Sequence, residues 1–297
     1  MKILNFGSLN IDYVYSVDHF VQKGETLLSN DLNVYSGGKG LNQSVALGRA
    51  GARVYHAGAV GEDGSFLLKL LNDAGVDTSY VLESEAVRTG NAIIQTDKTG
   101  DNCILLFGGA NQEITKEQVD ETIDFFEPGD FIVLQNEINE MPYIIRKAHE
   151  RGMIIVFNPA PMNEKVMEMP LEYVDYLIVN EIEASQLLGK NYTDDEGMAM
   201  ADALAEKFPW LRVILTLGEK GSIYAASDER IVQDIYKTNV VDTTAAGDCF
   251  IGYFVAAITQ SKSVKDALNL ASKASSIAVS AAGAAPSIPT IETVRRI

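Results

Sequence analysis

The chain has 297 residues, 46% of them apolar, with 24 basic against 41 acidic side chains and a net charge of −17. That length allows one large α/β domain, and that composition is globular rather than disordered. The acidic balance offers no basic stripe for nucleic acid, and two cysteines, Cys103 and Cys249, with no CxxC pair exclude a disulfide framework and a cysteine-rich zinc site and fit a reducing cytoplasm.

Met1–Gly7 reads as a strand entering a turn, too short and too polar for a signal peptide. No apolar run approaches the roughly 20 residues of a membrane-spanning helix. Further strands are predicted at Val54–Ala59, Phe131–Gln135, Ile154–Phe157, Tyr176–Val179 and Val213–Leu217, after the first at Lys2–Phe6. Helical patterns stand between them at Leu41–Ala50, Ser65–Ala74, Lys116–Phe125, Pro142–Arg151, Glu181–Leu188 and Met198–Phe208. Strand–helix alternation of this kind predicts βαβ units and a mostly parallel sheet covered on both faces. Ligands of such sheets bind beyond the carboxyl ends of the strands.

Four runs break the alternation. Ile11–Val17 and Asp31–Tyr35 follow early turns, and Asn91–Thr96 and Asn102–Phe107 flank the turn at 97–101. They predict a small antiparallel sheet outside the main one, a lid formed by roughly 11–35 and 89–108, with an edge extension of the main sheet as the plainer alternative. An exposed sheet of this kind pairs readily with another, so a homodimer through the lid is the expectation by analogy. A second hairpin is predicted at Ser222–Ala226 and Ile231–Tyr236. A long Ala/Ser-rich helix from Val264 to Ala282 then stops at Gly283, with Pro286 beyond.

The motifs sit at the ends of these elements. Asn10 and Asp12 alternate in the segment after the first strand, so both can face one way and bond vicinal hydroxyls; a turn bonding its own backbone is the plainer reading. In Ser36-Gly37-Gly38-Lys39-Gly40-Leu41-Asn42-Gln43 the glycines let a ligand approach the backbone, and Asn42 offers a donor and an acceptor. This is not a Walker A loop, because Lys39 precedes Gly40 rather than Ser or Thr. Asn180 and Glu183 follow a strand end; they suit Mg²⁺-bound water near a triphosphate, or equally a helix N-cap with its partner at the third position. Thr216, Gly218 and Gly221 form a strand-to-glycine loop open to nucleotide phosphates. In Val241–Phe250 a run of small residues opens a helix, which exposes unpartnered N–H groups and makes an anion site. Asp248 would repel an anion there unless it had a task, and the reading is a catalytic base. Cys249, with no histidine partner signalled, reads as a buried structural cysteine.

Taken in order, these segments resemble the ribokinase or PfkB family of carbohydrate kinases over nearly the whole chain. The carrying residues are Gly7–Asp12, Gly37–Gln43, Gly109–Asn111, Asn158–Pro161, Asn180–Glu183, Thr216–Gly221, Asp242–Phe250 and Gly283–Ser287. The resemblance implies a three-layer α/β/α fold with a small β-sheet lid over residues 1–297. It implies an ATP-dependent, cytoplasmic sugar kinase, most like the family's ribose kinases acting at O5. Asp248 would be the base, and the backbone of Ala245, Ala246 and Gly247 the anion hole. Asn10, Asp12, Gly38, Lys39, Asn42 and Glu137 would hold the sugar. Asn180, Glu183, Thr216, Gly218 and Gly221 would hold ATP and Mg²⁺, with Ser272 near the adenine. Asp242, Thr244, Ala278, Ala281, Gly283 and Ser287 would hold a monovalent cation, K⁺. The alternatives are a kinase of the same family for another sugar or a nucleoside, and a binding regulator without catalysis. Departures from the family pattern lie around Glu137, at Leu41 in place of a common alanine, and at Cys249 in place of a common threonine; the first two are expected to border the sugar pocket.

Overall fold

A computed structural model of the chain describes residues 1–193 and 196–296. Its nine-stranded main sheet runs β13-β12-β11-β10-β9-β8-β1-β4-β5. Here β1 is Ile3–Phe6, β4 Val54–Gly61, β5 Val76–Ser84, β8 Phe131–Gln135, β9 Ile154–Asn158, β10 Tyr176–Asn180, β11 Arg212–Thr216, β12 Ser222–Ala226 and β13 Glu229–Gln233. From β5 to β11 every neighbouring pair is parallel; β12 and β13 close one edge as antiparallel strands. The predicted parallel sheet is therefore present.

The period of two along each strand divides the core. Leu4, Phe6, Ile132 and Leu134 join one cluster with α3 (Lys116–Asp124), α4 (Met141–Glu150), α5 (Glu181–Leu188) and α6 (Gly197–Lys207). Ile3, Phe131 and Val133 point the other way, to α1 (Lys39–Arg49), α2 (Ser65–Asp73), α7 (Ala246–Thr259) and α8 (Val264–Ala278). On that face α1 and α7 pack so closely that a Cβ added at Gly252 would fall 2.3 Å from the Cβ of Ala46. The first turns of both helices open at the same end of the sheet.

A separate four-stranded sheet has the order β3-β2-β6-β7, with β2 at Asn10–Ser16, β3 at Asp31–Gly37, β6 at Gly90–Thr96 and β7 at Asn102–Phe107. It is not wholly antiparallel as predicted, because its central pair β2–β6 is parallel. Both strands enter the lid at the Asn10–Gly90 pair and run outward together. Three further differences exceed the shifts of one or two residues at other element ends. The edge strand β5 was missed, its burial alternating irregularly with exposed polar positions. β13 begins at Glu229 and ends at Gln233, so the hairpin turn is tighter than predicted. α8 stops at Ala278 rather than Ala282, because the next carbonyl, of Val279, accepts the N–H groups of Val241 and Asp242 at 2.8 and 3.2 Å.

Candidate active site

Asp248 lies in the first turn of α7, buried, and both its oxygens accept side-chain amide N–H groups. Asn42 Nδ2 donates to Oδ2 at 3.1 Å and Gln43 Nε2 to Oδ1 at 2.9 Å. The residue before the helix, Ala245, sits in the left-handed region at φ 60°, a conformation costing an alanine on the order of 1–2 kcal/mol. That turn aims the helix mouth. The Ala246 N–H is drawn into Thr243 O at 3.2 Å, whereas the N–H groups of Gly247 and Asp248 have no partner among the described residues. Of the predicted cradle, the Ala246 N–H is thus engaged, while the N–H groups of Ala245 and Gly247 have no partner among the described residues, that of Asp248 stands free beside them, and Ala245 also supplies the bend.

A cleft of about 250 Å³ joins this helix mouth to Lys39, Asn158, Asn180, Glu183 and Thr216. Lys39 opens α1, and the Asp248 carboxylate, with Glu137 and Glu183 in support, holds its ammonium above the ordinary lysine range against the opposing effect of burial. Burial raises the Glu183 carboxyl, although one of its oxygens accepts the Asn180 N–H at 3.1 Å. Asn180 Oδ1 accepts the Glu183 N–H at 2.9 Å in return, so the pair is a complete capping box that also faces the cleft. Among the described residues no three His, Cys, Asp or Glu side chains converge as a metal site. A lone carboxylate such as Glu183 nevertheless suits Mg²⁺, which keeps most of its waters and leans on substrate phosphates. Gly218 borders a neighbouring cavity of about 790 Å³ with Leu217 and Lys220, while Gly221 closes the loop by hydrogen bonds with Leu217 and Gly218. Ser272 gives its hydroxyl to Asp234 O at 3.0 Å and lines neither cavity.

On the lid side Gly38, at φ 93°, makes the turn from β3 into α1, a backbone an L side chain rarely adopts. Glu137, beyond β8, accepts the Ser8 hydroxyl and the Lys39 N–H on one oxygen, which pins that turn to the end of β1. Burial, and then the negative charge of Glu137, push the Asp12 carboxyl up to about 6. Asn10 is held by Asn111, whose Nδ2 donates to Asn10 Oδ1 at 2.7 Å and whose Oδ1 accepts the Leu9 N–H. The Asn42 carbonyl oxygen is buried without a partner among the described residues, an acceptor awaiting a donor. Leu41 does not border this pocket as expected: it is fully buried in the core between α1 and the sheet. Cys249 is likewise enclosed, and burial pushes its thiol up.

Asp242, Thr244 and Gly283 also come together. The Asp242 carboxylate accepts Thr244 N at 2.9 Å, the Thr244 hydroxyl at 2.6 Å and Gly283 N at 2.9 Å. Burial alone would raise this carboxyl; those donors outweigh it and hold it low.

A model of the pfkB family carbohydrate kinases matches residues 1–291. The chain belongs to that family. It is 36% identical over 287 residues to a ribokinase of Staphylococcus aureus (strain COL), covering 94% of this chain and 93% of that one. Among solved structures it is similar to ribokinase from Cryptococcus neoformans var. grubii serotype A in complex with ADP, with TM-score 0.89 and 33% identity over 99% of both chains. It is also similar to Arabidopsis thaliana ribokinase complexed with ribose and ATP, with TM-score 0.87 and 28% identity over 99% of this chain and 97% of that one. The fold predicted from the resemblance is thus the fold observed, and the chain is a carbohydrate kinase.

Sequence reading of this pfkB-family enzyme missed four buried amides, Gln43, Asn111, Gln135 and Asn158, as site residues. A weak signal was present in each. Gln43 follows Asn42 on α1, Gln135 and Asn158 end core strands, and Asn111 follows Gly109-Ala110, all places where an apolar side chain is the default.

Proposed function

We propose that the chain transfers the γ-phosphoryl group of ATP to the terminal hydroxyl of a pentose, D-ribose at O5. The observation that carries this is Asp248 itself: a buried carboxylate held by two neutral amides, at a helix mouth whose Ala245, Gly247 and Asp248 N–H groups have no partner among the described residues, in the cleft that holds Lys39 and Glu183. The ribokinase relatives and the neighbour complexed with ribose and ATP support the choice of sugar and nucleotide.

In this reading Asn10, Asp12, Gly38, Asn42 and Glu137 orient the sugar under the lid, and the Asn42 carbonyl oxygen accepts one of its hydroxyls. Asp248 removes the O5 proton as O5 forms its bond to the γ-phosphorus. The bond from that phosphorus to the β-bridging oxygen breaks, and its electron pair leaves with ADP. The backbone N–H groups of the run from Ala245 to Asp248, those of Ala245, Gly247 and Asp248 free and Ala246 completing the turn, stabilise the equatorial oxygens. Lys39 adds positive charge. Asn180, Thr216, Gly218 and Gly221 hold the nucleotide, with Ser272 toward the adenine, and Glu183 would hold Mg²⁺ through its waters, where the ion would supply charge to neutralise the phosphates. K⁺ would be held by Asp242, Thr244, Ala278, Ala281, Gly283 and Ser287, where its charge steadies the loop that shapes the helix mouth.

A coupled ADP-release assay across pentoses, hexoses and nucleosides tests the reading; ribose-dependent release is expected. Asp248→Asn is expected to lower kcat by roughly 10²–10⁴-fold while sugar affinity changes little. Unchanged turnover would remove Asp248 as the base. Binding of sugar and ATP with no ADP released for any sugar would make the protein a regulator instead.

A further inference from the structure

We infer that Gln43, set by a chain of buried amides that begins at a backbone carbonyl, is a positioning residue for Asp248; this rests on the reading of Asp248 as the base. The chain runs through Asn5, Gln135 and Gln43, each fully buried or nearly so. Asn5 Nδ2 faces Gly40 O at 2.8 Å. A carbonyl can only accept, so the Asn5 amide has one permitted orientation and its oxygen must face the other way. Gln135 Nε2 donates to that oxygen at 2.9 Å and to Gln43 Oε1 at 2.8 Å. Gln43 is thereby left with its Nε2 toward Asp248 Oδ1, at 2.9 Å. A second brake acts on the same nitrogen. Asn158 Nδ2 donates to Ile178 O at 2.9 Å, which turns Asn158 Oδ1 toward Gln43 Nε2 at 3.4 Å. Two backbone carbonyls thus dictate that Asp248 meets a donor and never the Gln43 oxygen.

Stability does not explain this arrangement. The chain continues from Asn5 Nδ2 to Ser44 Oγ at 2.9 Å and from there to His56 Nδ1 at 2.7 Å. Gln135 Oε1 is buried without a partner among the described residues. Such atoms cost free energy that apolar side chains of the same volume would not. The return is an orientation: with Asn42 on the other oxygen, the carboxylate plane is fixed while lone pairs stay open toward a substrate hydroxyl. Both donors are neutral amides, so they orient the carboxylate without neutralising its charge.

The test uses the full-length enzyme and steady-state kinetics against pH. Gln43→Met keeps the volume and removes the donor. Its kcat is expected to fall about tenfold or more, with KM for sugar and ATP within about twofold. The acidic limb of the kcat profile should move, because the carboxylate that takes the proton has lost one of its two donors. Gln135→Met frees the Gln43 amide to turn, so kcat should fall less, again without a change in KM. The double variant should be no slower than Gln43→Met, since Gln135 acts through Gln43. A merely structural role would lower thermal stability and leave the kcat limb in place. Wild-type kcat and limb in Gln43→Met, or losses that multiply in the double variant, would overturn the inference. If Gln43→Met does not fold, the kcat and limb of Gln135→Met decide in the same way. An inactive Asp248→Asn beside an unimpaired Gln43→Met would sink the positioning role alone; an active Asp248→Asn would sink the base reading first.

Discussion

Asp12 carries the sharpest pH signature of any single residue in the proposed sugar site. Its carboxyl is pushed up to about 6 by burial and by Glu137, so below that pH it is protonated and a poorer acceptor for sugar hydroxyls. The sugar KM is expected to rise as pH falls through about 6, and Asp12→Asn to flatten that rise while lifting KM about tenfold or more at neutral pH. The same shift acts on stability with a definite sign. A carboxyl raised in the folded state stabilises the free protein below the unfolded value near 4, and that contribution is lost as pH rises through about 6. Melting temperature measured across that window should therefore decline less in Asp12→Asn than in wild type. Asn10, Asp12 and Asn42 were legible in the sequence because they stand beside glycine turns at strand ends. Gln135 was not: its partners Gln43 and Asn5 lie 92 and 130 residues away, and only the strand order β8-β1 brings them together.

At the scale of elements, the sequence pattern was most reliable where period and boundary signals agreed. α5, with its capping box and Gly189 stop, came out with the predicted bounds. α8 did not, because helix propensity in Ala278–Ala282 is overruled by the strap at 241–242, which takes the carbonyl of Val279. That strap ties the C-terminal turn to the small-residue run before α7, and Asp242 is the knot. K⁺ is accordingly expected to raise kcat over Na⁺ or choline, and Asp242→Ala to lose that response along with about fivefold or more of the activity. Equal rates in all three salts would dismiss the cation assignment. The parallel β2–β6 pair escaped prediction for a different reason: hairpin signals mark neighbours in sequence, and a parallel pair has no local signal of its own.

For the whole molecule, one of the rows that cross all four lid strands is Val34, Tyr13, Ile93 and Leu105, with Tyr13 part-buried against the core. Leu105 is 68% exposed and Val34 51%, which is the surface expected of a sheet that meets a second copy. We propose a homodimer through this face; light scattering should give twice the chain mass for wild type and a monomer for Leu105→Glu, and a monomeric wild type would reject it. The deepest dependence in the molecule lies elsewhere, at the α1–α7 crossing. The acid belongs to α7 and its two amide partners to α1, so their separation is inherited from how near two cylinders approach. At Gly252 that approach is limited by the bare backbone of one helix against the smallest side chain of the other. The hydrogen atom at Gly252 thus serves as a spacer gauge: one added methyl group, a single turn along α7 from Asp248, would open the jaws that grip it.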